Sequence, residues 1–326
     1  MTGRSPVVVD AATVAASLPY ADLVEALREG FRTGVDVPVR HHHAVPRSDA
    51  EPAILLLMPA WQKDAVTGVK IVHIASGNER RGLPSVQGVY LLFDGPTGTP
   101  LAMLDGYTLT VRRTAAASAL AASFLAREDS ESLLLVGAGA MAPHLARAHA
   151  TVRPIRRVAV WNRTPERAQA LADELRGEGM AAEVVTDLDA ALGRADIVSC
   201  ATMSREPLVR GDRLRAGTHV DLIGAYMPTM RESDDATMRR AEVYVDTYEG
   251  ALAEAGDILQ AIDAGAMSRD DIRGDLAELC RGIRQGRRSA ATITAFKSVG
   301  TALEDLVAAR LVYGRLTGGG SGNPPP

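Results

Sequence analysis

The fold is decided by the stretch LLLVGAGAMA at residues 133–142. Four apolar residues that suit a buried strand run directly into a G-x-G-x-x-A turn, and a helical stretch, 143–150, follows. Gly137 permits the tight turn, Gly139 leaves room for a pyrophosphate, and Ala142 lets the helix pack closely on the strand. This order of strand, turn and helix aims the amides of the helix N-terminus at a phosphate. The stretch predicts a dinucleotide site formed by Gly137, Ala138, Gly139, Ala140 and Met141.

Downstream of this turn, short apolar strands alternate with helical stretches. Further strands are predicted at 157–161, 182–185, 197–201, 219–223 and 243–246, and most of the gaps leave room for one helix. Such an alternation is typical of a doubly wound parallel sheet, so the fold class is α/β with a Rossmann domain. We place this domain at residues 119–298.

The residues before the Rossmann domain follow a different pattern. A helix is expected at 21–31, and strands separated by turn formers are expected at 54–58, 68–72 and 88–93. This pattern favours an α+β domain with a mostly antiparallel sheet. We expect the helical stretch 301–316 to pack back on it, so that a substrate-binding and dimerisation domain comprises 1–118 and 299–317. The tail, 318–326, contains no apolar residue and is expected to be disordered.

Composition and charge narrow the class of protein. With 46% hydrophobic and 23% charged residues the chain has the composition of a globular protein, and no apolar run is long enough to span a membrane. A net charge of −4 provides no cationic surface for nucleic acid. The expected partner is a small molecule, and the expected location is the cytoplasm. Neither the two cysteines nor His41, His42 and His43 have the spacing of a metal site, so no metal is predicted.

The end of the second Rossmann strand indicates which nucleotide binds. NAD-binding domains usually carry a carboxylate there for the ribose hydroxyls, whereas this chain has Asn162, Arg163 and Thr164. A guanidinium can form charge-assisted hydrogen bonds to a 2′-phosphate, and the two neutral side chains can add to them. The sequence therefore predicts NADP(H) rather than NAD(H). The alternative is that Arg163 is a solvated residue beside a helix cap at Thr164.

Three cations in the first domain are candidates for the substrate site, namely Arg40, Lys70 and Arg113. None belongs to a motif defined by spacing, so each is interpreted from the residues alone as a surface charge. Lys70 is the exception that attracts notice, because it interrupts the apolar run VKIV at 69–72. A half-buried ammonium needs a partner, such as a substrate carboxylate.

From about residue 37 to 310, the chain resembles the ornithine cyclodeaminase/mu-crystallin family. The matching segments are PVR (38–40), MPA (58–60), VK (69–70), LPS (83–85), RTAA (113–116), the glycine turn, IGA (223–225), EAGD (254–257) and FKSVG (296–300). The string WNRT at 161–164 is similar to that of NADPH-binding members. Members exchange hydride between the nicotinamide and the α-carbon of an amino acid through an imine, and they are generally homodimers.

The resemblance implies roles for individual residues. Arg40, Lys70 and Arg113 would surround the substrate carboxylate, and Ser85 would border both the nicotinamide and the substrate. The residues expected to contact the cofactor besides the turn and residues 162–164 are Ser85, Arg113, Thr202, Ile223 and Lys297.

The chain departs from the cyclodeaminases at one position. Where they carry an Asp after the fifth Rossmann strand, this chain has Tyr226, and a phenol cannot act as a carboxylate base at neutral pH. The string GAYMPTMRE at 224–232 is similar instead to ketimine reductase members. These reduce Δ1-pyrroline-2-carboxylate or Δ1-piperideine-2-carboxylate to L-proline or L-pipecolate. Lys70, Arg113 and Tyr226 are the candidate catalytic residues, although Tyr226 fits equally well as a packing aromatic at the cofactor edge.

Three other functions stay open at this stage. The first is ornithine cyclodeaminase, which uses NAD catalytically and releases ammonia. The second is an alanine or opine-type dehydrogenase, which needs a free amine as cosubstrate. The third is a ligand-binding protein that keeps the fold and the nucleotide without turnover.

Overall fold

The computed structural model describes residues 5–48 and 51–318. Its strands are β1 (Val7–Val9), β2 (His41–Val45), β3 (Ala53–Gln62), β4 (Val66–Ile74), β5 (Val86–Asp94), β6 (Pro100–Asp105), β7 (Ser132–Val136), β8 (Arg157–Trp161), β9 (Ala181–Val184), β10 (Ile197–Cys200), β11 (His219–Leu222), β12 (Ala241–Val245), β13 (Ile272–Asp275) and β14 (Ile293–Lys297). Its α-helices are α1 (Ala11–Ala16), α2 (Tyr20–Thr33), α3 (Gly106–Leu125), α4 (Ala142–Val152), α5 (Pro165–Gly177), α6 (Leu188–Leu192), α7 (Asp235–Arg240), α8 (Tyr248–Glu254), α9 (Gly256–Asp263), α10 (Leu276–Cys280) and α11 (Ala302–Leu316).

The chain folds into two compact units. The first unit comprises the described residues of Met1–Thr114 and Thr301–Pro326. Its six strands form one sheet in the order β1-β6-β5-β4-β3-β2, which is antiparallel except for the parallel pair β1 and β6. The expected α+β character and mostly antiparallel sheet are confirmed.

The strands of the first unit are longer than their apolar runs. The predicted strand 54–58 stops before Pro59, yet β3 continues through it to Gln62. Its neighbour β2 pairs with β3 only as far as Leu57, so Pro59 lies beyond that ladder, where a missing N–H is tolerated.

Helix α11 packs on α2 and on the central strands β3, β4 and β5 of this sheet. Gly30 of α2 makes the close approach of the two helices possible, because a Cβ atom there would lie 2.5 Å from Cγ2 of Val307. Although α11 is largely apolar, Glu304 and Asp305 in its first turn are fully buried. Two buried carboxylates require partners inside the unit.

The second unit, Ala115–Gly300, is built on a parallel sheet of eight strands. The strand order is β9-β8-β7-β10-β11-β14-β12-β13, and every pairing is parallel, which confirms the predicted doubly wound α/β sheet. The six predicted strands are all present, with ends that differ by at most two residues. β13 and β14 were not predicted as strands. β14 is fully buried between β11 and β12, although it contains the polar residues Thr294 and Lys297.

The strand order reverses between β7 and β10. In open parallel sheets, ligands bind in the crevice at the carboxyl ends of the strands where this reversal occurs. Here the glycine turn after β7 and the loops after β10 and β11 meet at that position. The tail predicted to be disordered lies outside the described residues except for Gly318. Among the helices that the structure describes, none is long and apolar enough to cross a membrane.

Candidate active site

The glycine turn has the backbone geometry that its sequence predicts. Gly137 has a φ of 105°, and a Cβ atom there would lie 3.0 Å from both the carbonyl oxygen of Ala201 and Cγ2 of Thr202. A side chain at Gly137 would therefore strain the turn and crowd the next loop. The situation at Gly139 is the opposite, because no heavy atom lies within 4 Å of its would-be Cβ. The space over Gly139 is open, as a cradle for a phosphate requires.

Residues 162–164 lie at the end of β8, beside this turn. The Oδ1 atom of Asn162 accepts a hydrogen bond from the Ala138 amide at 3.1 Å, and its Nδ2 donates to the Thr164 carbonyl at 2.9 Å. Asn162 thus braces the turn in addition to its predicted contact with the nucleotide. Arg163 is exposed, and Thr164 is the N-cap residue of α5 without a side-chain capping bond. Its hydroxyl is not used in the cap, which leaves it available to a ligand.

The loops after β10 and β11 share one buried acceptor, the Glu232 carboxylate. Its Oε1 accepts from the amide and the hydroxyl of Thr202, at 2.6 and 3.0 Å, and its Oε2 accepts from the amides of Gly224 and Ala225, at 2.8 and 3.2 Å. Ile223, predicted to contact the cofactor, is only 8% exposed, and its amide donates to the Cys200 carbonyl. Thr202 is thus fixed to Glu232 rather than free to rotate.

Lys297 lies behind these loops and is fully buried. Its Nζ is 3.1 Å from Oδ2 of Asp257 and 3.8 Å from Oε2 of Glu232, and both carboxylates are also fully buried. The resemblance places Lys297 at the nucleotide, whereas the structure encloses its ammonium in this cluster. The physical reason is that two buried negative charges need a cation. Direct contact between Lys297 and a nucleotide stays a prediction.

Sequence reasoning missed Glu232 and Asp257. Both lie in segments that carry the family resemblance, GAYMPTMRE and EAGD, so a signal was present. Burial raises the pKa of Glu232; Lys297 opposes that shift and Asp257 adds to it.

The cations of the first unit form a second cluster. Lys70 on β4 is 2% exposed and Arg113 on α3 is 5% exposed. The interpretation of Arg113 as a surface charge is therefore wrong, and Lys70, which its apolar run marked as half-buried, is almost fully buried. Arg40 precedes β2 and is partly buried, close enough to affect the pKa of Lys70. The three cations named by the resemblance are therefore brought together.

The partners of Lys70 and Arg113 come from α11. The Nζ of Lys70 lies 3.0 and 2.8 Å from the two carboxylate oxygens of Asp305. Arg113 donates from Nε to Asp305 at 2.9 Å and from Nη1 to Glu304 at 2.5 Å. The sequence signal for these carboxylates is the pair Glu304-Asp305 in an otherwise apolar helical stretch, and it was missed.

Burial also changes the protonation of this cluster. The pKa of Lys70 is lowered to about 8, because burial and the nearby Arg113 both lower it more than Asp305 raises it. Tyr90 faces Lys70 across the β4–β5 ladder, and burial raises the pKa of its phenol well above the ordinary value. The site thus contains an ammonium that can lose its proton near neutral pH.

Ser85 and Tyr226 are the remaining predicted residues. Ser85, just before β5, is partly exposed, and its carbonyl accepts from the Ala75 amide at 2.8 Å. Tyr226 is partly buried in the loop after β11, and burial raises the pKa of its phenol. A protonated phenol can donate a hydrogen bond but cannot act as a base. Among the described residues, no group of three or more His, Cys, Asp or Glu side chains is arranged to hold a metal ion.

Comparisons with known proteins identify close relatives. The model of the ornithine cyclodeaminase/mu-crystallin family matches residues 4–320. The chain is 41% identical to a Δ1-pyrroline-2-carboxylate reductase of Paracoccus denitrificans, over 92% of this chain and 94% of that protein. It is 36% identical to the ketimine reductase mu-crystallin of Rattus norvegicus, over 87% and 84%. The solved Δ1-pyrroline-2-carboxylate reductase of Thermococcus litoralis, in complex with NADH and L-proline, superposes with a TM-score of 0.90 at 33% identity and covers 98% of this chain and 100% of its own.

The contrast between the two glycines gives a test of the turn. We expect Gly139→Val to leave the unfolding temperature nearly unchanged, because a Cβ atom there has no heavy atom within 4 Å, and to weaken binding of a nicotinamide nucleotide at least about tenfold by filling the phosphate cradle. Gly137→Ala, the matched control, should lower stability by about 1–3 kcal/mol through its positive φ. Thermal unfolding and fluorescence titration measure the two effects. Unchanged affinity of Gly139→Val for the nicotinamide nucleotide would show that the turn does not hold a phosphate.

Proposed function

We propose, from the premise that this chain belongs to the ornithine cyclodeaminase/mu-crystallin family, that it is an NAD(P)H-dependent reductase of cyclic imino acids. Its substrates would be Δ1-pyrroline-2-carboxylate and Δ1-piperideine-2-carboxylate, reduced to L-proline and L-pipecolate. The named relatives include reductases of this kind, and the observation in this chain that carries the proposal is the cluster of the buried Lys70 and Arg113 with the partly buried Arg40.

The cations of that cluster suit a substrate that carries a carboxylate. Glu304 and Asp305 hold Lys70 and Arg113 in place by ion pairs, so that both side chains are fixed before a substrate binds. A guanidinium presents two parallel donors to a carboxylate, which fixes both position and orientation. In a site from which water is excluded such contacts are strong.

The chemistry requires a hydride and a proton. The nicotinamide, when bound, supplies the hydride to C2 of the C=N bond, and the nitrogen takes up a proton or binds already protonated as an iminium. Lys70 is the group that can supply or retain that proton, because its pKa of about 8 lets it exist in both forms near neutral pH. Tyr226 stays protonated, and we propose that it acts as a hydrogen-bond donor or a packing aromatic rather than a base.

The preference for NADP(H) over NAD(H) belongs to the proposal as well. Arg163 is exposed beside the glycine turn, and the hydroxyl of Thr164 is not used in the helix cap. A 2′-phosphate at that position would meet a guanidinium and a hydroxyl. Position 162 is an asparagine, so no carboxylate is present there to repel the phosphate.

Assembly, domain roles and location complete the proposal. We propose that the chain forms a homodimer in the cytoplasm, with residues 1–118 and 299–317 binding substrate and making the dimer contact. Val8 and Val39 of the first unit are 70% and 83% exposed in the single chain, which supports a further apolar contact there.

A direct assay tests the reaction. We expect NADPH oxidation, followed by its absorbance, with one or both of the five- and six-membered ring imines. No turnover with either ring would contradict the proposal. Ammonia release from L-ornithine without net change of nucleotide absorbance would favour a cyclodeaminase instead. A requirement for a free amine together with a 2-oxo acid would favour an alanine or opine-type dehydrogenase.

A charge-removing variant tests the cofactor preference. We expect Arg163→Ser to lower the ratio of kcat/KM for NADPH to that for NADH by at least about tenfold, because a charge-assisted bond is lost. Arg167→Ser, four residues on and equally exposed, is the matched control and should leave the ratio unchanged. Equal specificity for both nucleotides in the unsubstituted protein would reject the preference for NADPH.

The lowered pKa of Lys70 predicts a pH dependence. Lys70 is protonated below a pH of about 8 and loses its charge above it, so kcat/KM for the imine should fall as the pH rises through about 8. The imine substrate also loses a proton with rising pH. Lys70→Arg separates the two effects, because its charge persists and only the decline due to the substrate remains. Identical pH profiles for both proteins would show that Lys70 does not titrate in the reaction.

A further inference from the structure

Glu232 connects two loops that are otherwise separate in the chain. Thr202 follows the end of β10, and Gly224 and Ala225 follow the end of β11. The carboxylate accepts four hydrogen bonds from these three residues, two on each oxygen, and it is 0% exposed. It belongs to neither strand, since it lies in the segment between β11 and α7.

The two loops touch each other and the glycine turn. A Cβ atom on Gly224 would lie only 1.9 Å from the carbonyl oxygen of Thr202, so the loops approach to backbone contact. On its other side, Thr202 lies against Gly137, as described above. All three segments are at the carboxyl ends of adjoining strands, where parallel sheets bind nucleotides.

Two residues behind Glu232 fix its position, and one of them, Lys297, also favours its charged form. Oδ1 of Asp257 accepts from the amides of Glu232 and Ser233, at 2.9 and 2.8 Å, and its Oδ2 lies 3.1 Å from the ammonium of Lys297. That ammonium is 3.8 Å from Glu232 and partly balances both negative charges. The backbone and the side chain of Glu232 are therefore fixed by separate contacts.

We propose that Glu232 is a positioning residue for the nicotinamide nucleotide: as a carboxylate, it holds the loops after β10 and β11 in the conformation that receives the cofactor. This inference rests on the proposed function. Glu232 does not touch the reacting atoms in the proposal; it acts through Thr202, Gly224 and Ala225. Lys297 and Asp257 act one step further back: Lys297 favours the charged form of Glu232, and Asp257 fixes its backbone amide.

The role depends on the charge of Glu232. A protonated carboxyl has a hydrogen on one oxygen, and that oxygen would face donors that need acceptors. The other groups facing Glu232 are Lys297, Asp257 and the thiol of Cys200. Because burial raises the pKa of Glu232, protonation occurs closer to neutral pH than for an exposed glutamate. The affinity for nucleotide is thus expected to be high at alkaline pH and to fall as the pH falls.

Nucleotide binding without substrate tests the inference. We expect the Kd of the unsubstituted protein for NADH, measured by fluorescence titration, to rise at least severalfold between about pH 9 and about pH 6. NADH is the probe because it lacks the 2′-phosphate, which titrates near pH 6 itself. Glu232→Gln keeps the size of the side chain but puts an N–H group against the loop amides. Its Kd should be at least about tenfold higher at alkaline pH and nearly independent of pH.

Asp196→Asn is the matched control. Asp196 is also buried and accepts hydrogen bonds from the amides of Glu131 and Ser132, but it lies at the amino ends of the strands. We expect it to lower the unfolding temperature without changing the Kd or its pH dependence. The inference would be overturned if Glu232→Gln bound NADH with the same Kd as the unsubstituted protein. It would also be overturned if Asp196→Asn raised the Kd as much as Glu232→Gln does.

Two further outcomes keep the inference and the proposed function separate. If Glu232→Gln does not fold, the NADH titration of the unsubstituted protein decides, and a flat pH profile overturns the inference. If the protein reduces the imines but its Kd for NADH does not change with pH, the role of Glu232 is rejected and the proposed function stands. A pH-dependent Kd with no turnover of either imine rejects the proposed substrates and supports the role of Glu232.

Discussion

A charge buried in a protein needs an opposite charge or several hydrogen bonds, and this requirement shapes both units of the chain. In the first unit it joins Lys70 and Arg113 to the two carboxylates of α11. In the second it joins Lys297 to Asp257 and Glu232. In each cluster one charged side chain contacts two others from different parts of the chain, so each cluster fixes several segments at once. The cost of removing one partner is correspondingly high, because the others are left unpaired.

The sequence was sufficient for the framework and for the glycine turn. LLLVGAGAMA combines local signals, a strand, a turn and a helix within ten residues, and such signals do not depend on the rest of the chain. The place of Arg163 just after β8 also agrees with the sequence, while its contact with a 2′-phosphate stays a prediction. The expected antiparallel and parallel sheets were confirmed because turn formers and alternating helices are local features too.

What the sequence could not show is pairing over long separations. Lys70 and Asp305 are 235 residues apart, and Arg113 and Glu304 are 191 apart, so only the folded chain reveals that each cation has a carboxylate partner. Without these partners, Arg113 was interpreted as a surface charge, and the partner suggested for Lys70 was a substrate carboxylate. β14 was missed for a related reason, since its Thr294 and Lys297 are polar residues whose partners lie on other strands and helices.

The position of α11 in the sequence also determines when the partners of Lys70 and Arg113 are synthesised. A ribosome delivers the chain from its N-terminus, and domains generally fold as they emerge. Lys70 and Arg113 emerge long before Glu304 and Asp305, and the whole second unit, Ala115–Gly300, is synthesised between them. The nascent first unit therefore contains two cations whose counterions do not yet exist, and it can close only after α11 has been synthesised. The ion pairs of Lys70 and Arg113 thus form late, and a chain that ends before residue 304 contains these cations but not the carboxylates that hold them.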